Sequence, residues 1–148
     1  MTWADLVARY NRIAVVGGPR TGKTTLVMTT VEVDDRPVFH TDDLIGLVEW
    51  ADQPAVIIER CAPLDRYVVE GIQVARALRK GLEPDVVVVT TWPMVERTSG
   101  QKRLARAVDT WFHDWLAQRP DHGRALVWWL QDNGSMSTCA GLTPPDLG

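Results

Sequence analysis

The run Gly17-Gly18-Pro19-Arg20-Thr21-Gly22-Lys23-Thr24 satisfies in full the pattern GxxxxGK followed by Ser or Thr. Its chemistry is that of a loop wrapped around phosphate. Gly17 and Gly22 open backbone conformations closed to residues with a Cβ, so successive N–H groups can turn inward and form a nest for phosphate oxygens. Lys23 is a mobile point charge for the β- and γ-phosphates, and the Thr24 hydroxyl is placed for Mg²⁺. Pro19 stiffens the variable part of the loop. Arg20 either contacts phosphate or is solvated. The apolar run Ile13-Ala14-Val15-Val16 precedes the loop and Thr25-Leu26-Val27-Met28 follows it. That is the strand, loop, helix context in which the pattern binds a nucleoside triphosphate, with Gly17 to Thr25 as the cradle.

Two further stretches place carboxylates near those phosphates. In Val38-Phe39-His40-Thr41-Asp42-Asp43 a short strand ends in two acids, and ligands of parallel α/β sheets gather at the carboxyl ends of strands. Asp42, with Asp43 behind it, can accept a proton from an attacking hydroxyl or hold Mg²⁺ through water. The competing reading is a helix cap made by Thr41 or Asp42. In Arg66-Tyr67-Val68-Val69-Glu70-Gly71 an apolar strand ends in Glu70, the form of an acid that supports a Mg²⁺ shell. Here the alternative is an ordinary acid at a helix N-terminus.

The elements that must hold these groups follow from periodicity. Strands are expected at Ile13–Val16, Val38–His40, Tyr67–Val69, Val86–Thr90 and Leu126–Leu130. Their unbroken apolar character, above all Val86–Val89, indicates burial on both faces, as in a parallel sheet. After a short amphipathic segment at Trp3–Tyr10, helices are expected at Lys23–Thr30, Asp43–Ala51, Ala55–Arg60, Ile72–Lys80 and Gln101–Gln118, with Pro54 breaking or kinking the second helical region and Gly81 a stop after Arg79-Lys80. Alternating strands and helices make a three-layer α/β domain over residues 1–132, and residues 133–148 read as an irregular tail.

The chain has 148 residues, enough for one core without staples, and its 24% charged and 45% hydrophobic residues are ordinary for a globular domain. No segment reads as a membrane span or an export signal, so the expected location is the cytoplasm, with no membrane partner. Cys61 and Cys139 have no metal spacing, and His40, His113 and His122 form no ligand cluster. Charge is uneven: acids dominate from Glu32 to Glu70, whereas from Gly71 to Arg106 Arg76, Arg79, Lys80, Arg97, Lys102, Arg103 and Arg106 outnumber Glu83, Asp85 and Glu96. This is either one basic face for a polyanion or a set of solvated helix faces. Trp111 and Trp115, one helical turn apart, read as core, with base stacking as the alternative. Trp128 and Trp129 must face opposite sides of their strand.

Taken together, Gly17 to Thr24, Asp42 with Asp43, and Val68-Val69-Glu70-Gly71 resemble the P-loop kinases of nucleosides, nucleotides and related small molecules. More narrowly, these motifs with His40-Thr41-Asp42-Asp43, the run Glu70 to Lys80 and Gly100-Gln101 resemble small bacteriophage P-loop proteins, some assigned as kinases of 5-hydroxymethyluracil in DNA. The resemblance covers roughly residues 13–118. It implies a mainly parallel five-stranded sheet of order 2-3-1-4-5, use of ATP and Mg²⁺, a hydroxyl acceptor that extends to DNA, and a role in DNA modification within a host cytoplasm. It implies Lys23 on phosphate, Thr24 and Glu70 on the metal, Asp42 as general base, and Arg76 and Arg79 on the acceptor. A basic lid over about 92–110 would bring Arg97 and Arg103 to the transferred group. A phosphate loop is shared by other classes, so the second reading is an NTPase or a nucleotide-dependent switch that binds DNA or protein.

Overall fold

Val86–Val89 lie in a strand buried along its whole length, and the sheet is built outward from its neighbourhood. The computed structural model describes residues 2–19, 23–28, 35–90, 96–118, 126–130 and 136–137. In chain order the elements are α1 (Trp3–Arg9), β1 (Arg12–Gly17), α2 (Lys23–Met28), β2 (Val38–His40), the 3-10 turns Thr41–Leu44 and Trp50–Asp52, α3 (Gln53–Cys61), β3 (Tyr67–Gly71), α4 (Val74–Arg79), β4 (Val86–Thr90), α5 (Ser99–Gln118), β5 (Leu126–Leu130) and β6 (Met136–Ser137).

The sheet order is β2-β3-β1-β4-β5-β6. β1 to β5 pair in parallel, with Ile13 opposite both Val68 and Val86. This is the expected order 2-3-1-4-5 with one more strand. β6 adds antiparallel to β5 through Leu130 and Met136, so Met136–Ser137 is strand where an irregular tail was expected. Strand alternation divides the core into two layers. Ala14, Val16, Val69, Val87 and Val89 pack against α3, α4 and α5 through Ile57, Leu78, Val108 and Phe112. On the opposite face Ile13, Val15, Val68, Val86 and Val88 pack against α1 and α2 through Leu6, Val7 and Val27. Burial of each such side chain is worth about 1.5–3 kcal/mol. Trp111 and Trp115 pack on the first layer; Trp128 and Trp129 divide between the two.

The amino ends of the strands are fastened by polar contacts. Arg12 Nη2 lies 2.8 Å from Asp85 Oδ1, and the Arg12 N–H donates to Asp85 Oδ2 at 3.0 Å. The buried Arg36 guanidinium donates to the carbonyls of Val7, Tyr10 and Asn11, and a reciprocal Thr2/Asp5 capping box starts α1.

One expected helix is absent. Residues 43–51 form no α-helix; Gly46, at φ 82°, takes a left-handed conformation that a right-handed helix does not accommodate. Pro54 breaks nothing: it lies in the first turn of α3, where its missing N–H has no intrahelical partner to lose. Gly81, at φ 118°, follows α4 as the expected stop. Arg20, Thr21, Gly22, the end of the expected helix at Thr29 and Thr30, Trp92, His122 and Cys139 lie outside the described residues.

Candidate functional site

β1, β2 and β3 bring their carboxyl ends together, and the candidate site is assembled there. Gly17 ends β1, Gly18 and Pro19 follow, and Lys23 opens α2. Lys23 is only 8% exposed, and its ammonium donates to the Gly18 carbonyl at 2.7 Å. Burial pushes its pKa below the usual lysine range, opposed by the nearby carboxylates of Glu70 and Asp42 and reinforced by Arg97. Thr24 and Thr25 lie in the first turn of α2; their side chains, like Arg20, Thr21 and Gly22, are outside what the structure describes.

Glu70 lies within β3, not at a helix N-terminus, and is 2% exposed. Its Oε2 is 2.8 Å from Nδ1 of His40, its register partner on β2. Sequence reasoning missed this pair because His40 was weighed as a metal ligand and not as a hydrogen-bond partner. The detectable signal was position: His40 ends β2, Glu70 is next to last in β3, and paired residues of neighbouring strands fall on the same face. Thr41 and Asp42 open a 3-10 turn without a side-chain cap hydrogen bond at His40, its N-cap, so the cap reading for Thr41 or Asp42 finds no support. Asp42 and Asp43 are both exposed.

Close packing fixes how these ends meet. Gly71 has φ 141°, and a Cβ there would fall on the Thr41 hydroxyl. Only glycine lets Thr41 cross β3 at this point and turn the chain into Asp42. The Thr41 Oγ1 is buried without a hydrogen-bond partner among the described residues. Thr90, at the end of β4, donates to the Val16 carbonyl at 3.3 Å and ties the third strand end to β1.

The basic stretch is anchored rather than detached. Thr98 and Gln101 cap α5 reciprocally at 2.8 and 3.1 Å, which starts the helix directly after Arg97. Arg97 Nε donates to the Pro19 carbonyl at 2.7 Å, and burial lowers its pKa against the pull of Asp109. One turn into α5, Ala105 packs so close to Gly18 that a Cβ there would lie 2.9 Å from the Ala105 Cβ. Arg103 stands exposed on the same helix. Arg97 thus joins the phosphate loop.

Arg76 and Arg79 part company. Arg79 is exposed at the end of α4. The Arg76 guanidinium lies between two indoles, 5.8 Å from the Trp50 ring centroid and 5.5 Å from that of Trp111. Its Nη1 donates to the Trp50 carbonyl at 3.2 Å and to Gln73 Oε1 at 3.1 Å. Trp50 is an aromatic that the sequence reading did not single out.

No protein-family model matches this sequence, and no curated protein matches it. Among solved structures, shikimate kinase from Acinetobacter baumannii in complex with shikimate is similar, with a TM-score of 0.48 at 12% identity over 76% of this chain and 83% of that one.

Proposed function

We propose that this protein is a P-loop kinase that transfers the terminal phosphoryl group of ATP to a hydroxyl of a nucleoside, a nucleotide or a hydroxymethylated base in DNA, as in the DNA modification of bacteriophages within a host cytoplasm. The observation that carries the reading is that Lys23 and Arg97 bond the Gly18 and Pro19 carbonyls of the loop, while Glu70 pairs with the end of β2 that leads into Asp42. A pure phosphate holder needs the loop and lysine; an exposed carboxylate at the adjacent strand end adds a group able to take a proton.

In this reading Gly17 to Thr25 cradle the phosphates, and Lys23 exchanges the Gly18 carbonyl for phosphate oxygens. Asp42, with Asp43 beside it, accepts the proton of the acceptor hydroxyl as the new O–P bond forms, and the bond to the β-phosphate bridging oxygen breaks to leave ADP. Arg97 and Arg103 offset the negative charge spread over the moving group. Arg76 and Arg79 face the acceptor side.

The donor set fits Mg²⁺ carried on the nucleotide. Glu70 supplies a buried hard oxygen, Thr24 would supply a hydroxyl, and no group of three or more acids, histidines or cysteines forms a metal cage among the described residues. Bound there, Mg²⁺ would neutralise phosphate charge. No helix among the described residues is long and apolar enough to cross a membrane.

The test follows labelled ATP with purified protein and a panel of hydroxylated nucleosides, nucleotides and hydroxymethylated DNA. Transfer of label to an acceptor is expected, with Asp42→Asn slowing it about 100-fold or more while ATP still binds. Lys23→Ala should abolish ATP binding itself. Release of free phosphate alone, stimulated by DNA, would establish the NTPase or switch reading instead.

A further inference from the structure

The large apolar side chains that stand exposed among the described residues all fall in one short segment: Ile45 at 64%, Leu47 at 80% and Trp50 at 46%. That segment begins one residue beyond Asp43, after the buried Leu44. It borders an open groove of about 420 Å³ lined by Ile45, Leu47, Val48, Glu49, Trp50 and Gln53. Concentrated apolar exposure of this kind marks a recognition surface.

The segment is also held in place. Gln53 and Gln73, both buried, form a relay: Gln53 Nε2 donates to the Val48 carbonyl at 3.1 Å, and Gln73 Nε2 donates to Gln53 Oε1 at 3.1 Å. Gln73 Oε1 then receives Arg76 Nη1, which also binds the Trp50 carbonyl. The Arg76 guanidinium lies over the Trp50 ring, which is still 46% exposed. A flat ligand can stack on such a ring without first ordering it.

Charge narrows the ligand further. Glu49 lines the groove, and Asp42, Asp43 and Asp52, which flank the segment in sequence, are exposed too, while Arg76 is engaged by Trp50, Trp111 and Gln73. Arg60 shares with Asp43 the wall of a separate cavity of about 50 Å³. Such a rim repels phosphate and receives hydroxyl donors.

We propose that residues 45–53 form the acceptor-recognition surface, with Trp50 as its stacking platform, and that it takes an uncharged planar aromatic ring bearing the accepting hydroxyl: a free nucleoside rather than a nucleotide or DNA. This rests on the kinase reading for the word acceptor. Arg76 then acts through Trp50, as a positioning residue, and not on an acceptor phosphate.

Calorimetric titration without ATP tests it, using 5-hydroxymethyl-2′-deoxyuridine, its 5′-monophosphate and a single-stranded oligonucleotide carrying the same base, with shikimate as a non-aromatic control. The nucleoside is expected to bind at least about tenfold more tightly than the other three, and Trp50→Ala to weaken it about tenfold or more. Trp50→Phe, which keeps a ring, should stay within about threefold of the parent, and both variants should bind ATP as the parent does. Tighter binding of the monophosphate, oligonucleotide or shikimate, no binding of the nucleoside, or an unchanged Trp50→Ala overturns the proposal. A protein that binds the nucleoside at Trp50 yet transfers no phosphoryl group upholds this surface and overturns the kinase reading.

Discussion

The phosphate end of the site and the lip at residues 45–53 are built on opposite plans. At the phosphate end, glycines pass directly under neighbouring side chains: Gly18 lies against Ala105, Gly71 lies under Thr41, and Lys23 is almost sealed from water. At the lip, side chains stand outward, and Leu47 is 80% exposed. One region is specified by the space it lacks and the other by the surface it shows. Substitutions should therefore break the first through folding and the second through recognition.

The strongest way to break this contrast is Gly71→Ala. The substitution combines a left-handed φ with direct overlap on the Thr41 hydroxyl, and we expect a loss of about 3 kcal/mol or more in urea unfolding. Adding Thr41→Ala should recover only part of it, because the backbone strain persists. A Gly71→Ala protein as stable as the parent would show that the phosphate end is not packed as described.

A second test asks whether α3, which follows the lip in the chain, shares that tightness. Cys61, on α3, is buried, and burial raises its thiol pKa from 9.0 to about 11; Tyr67 is raised as well. A raised acid binds its proton more tightly in the folded chain, so its contribution is complete below pH 9.0 and disappears as pH rises through about 11. Urea midpoints should fall more steeply over that window for the parent than for Cys61→Ala. Equal slopes would mean that solvent reaches the thiol.

The smallest expected effect is the most direct reading of the lip. Leu47→Ser should leave the midpoint of thermal unfolding unchanged, within about 0.5 kcal/mol. A larger loss would mean that this side chain supports the fold.

The two regions also differed in how far the sequence disclosed them. Gly17 to Thr24 is contiguous, so its pattern is recognisable in the sequence alone. The buried strands were equally plain, because parallel pairing covers both faces and leaves runs such as Val86–Val89. The lip depends instead on one left-handed glycine, Gly46, and on Gln53, Gln73 and Arg76, which meet only after folding. The same applies to His40 and Glu70, joined across neighbouring strands. Trp50 sits among acids with no periodic company, whereas Trp111 and Trp115 announced themselves by helical spacing. β6, at Met136–Ser137, is too short to carry a period at all.

The central position of β1 has a consequence for how the molecule comes into being. Its pairing partners are made much later: Arg12 pairs with Tyr67, and Ile13 with Val86. Parallel pairing over such separations requires closing long loops, which is slow compared with local structure. During synthesis the first strand emerges early and has no neighbour in the sheet until β3 appears, and none on its other side until β4 does. A nascent chain can thus display the complete Gly17 to Thr24 motif before the strands that flank it exist.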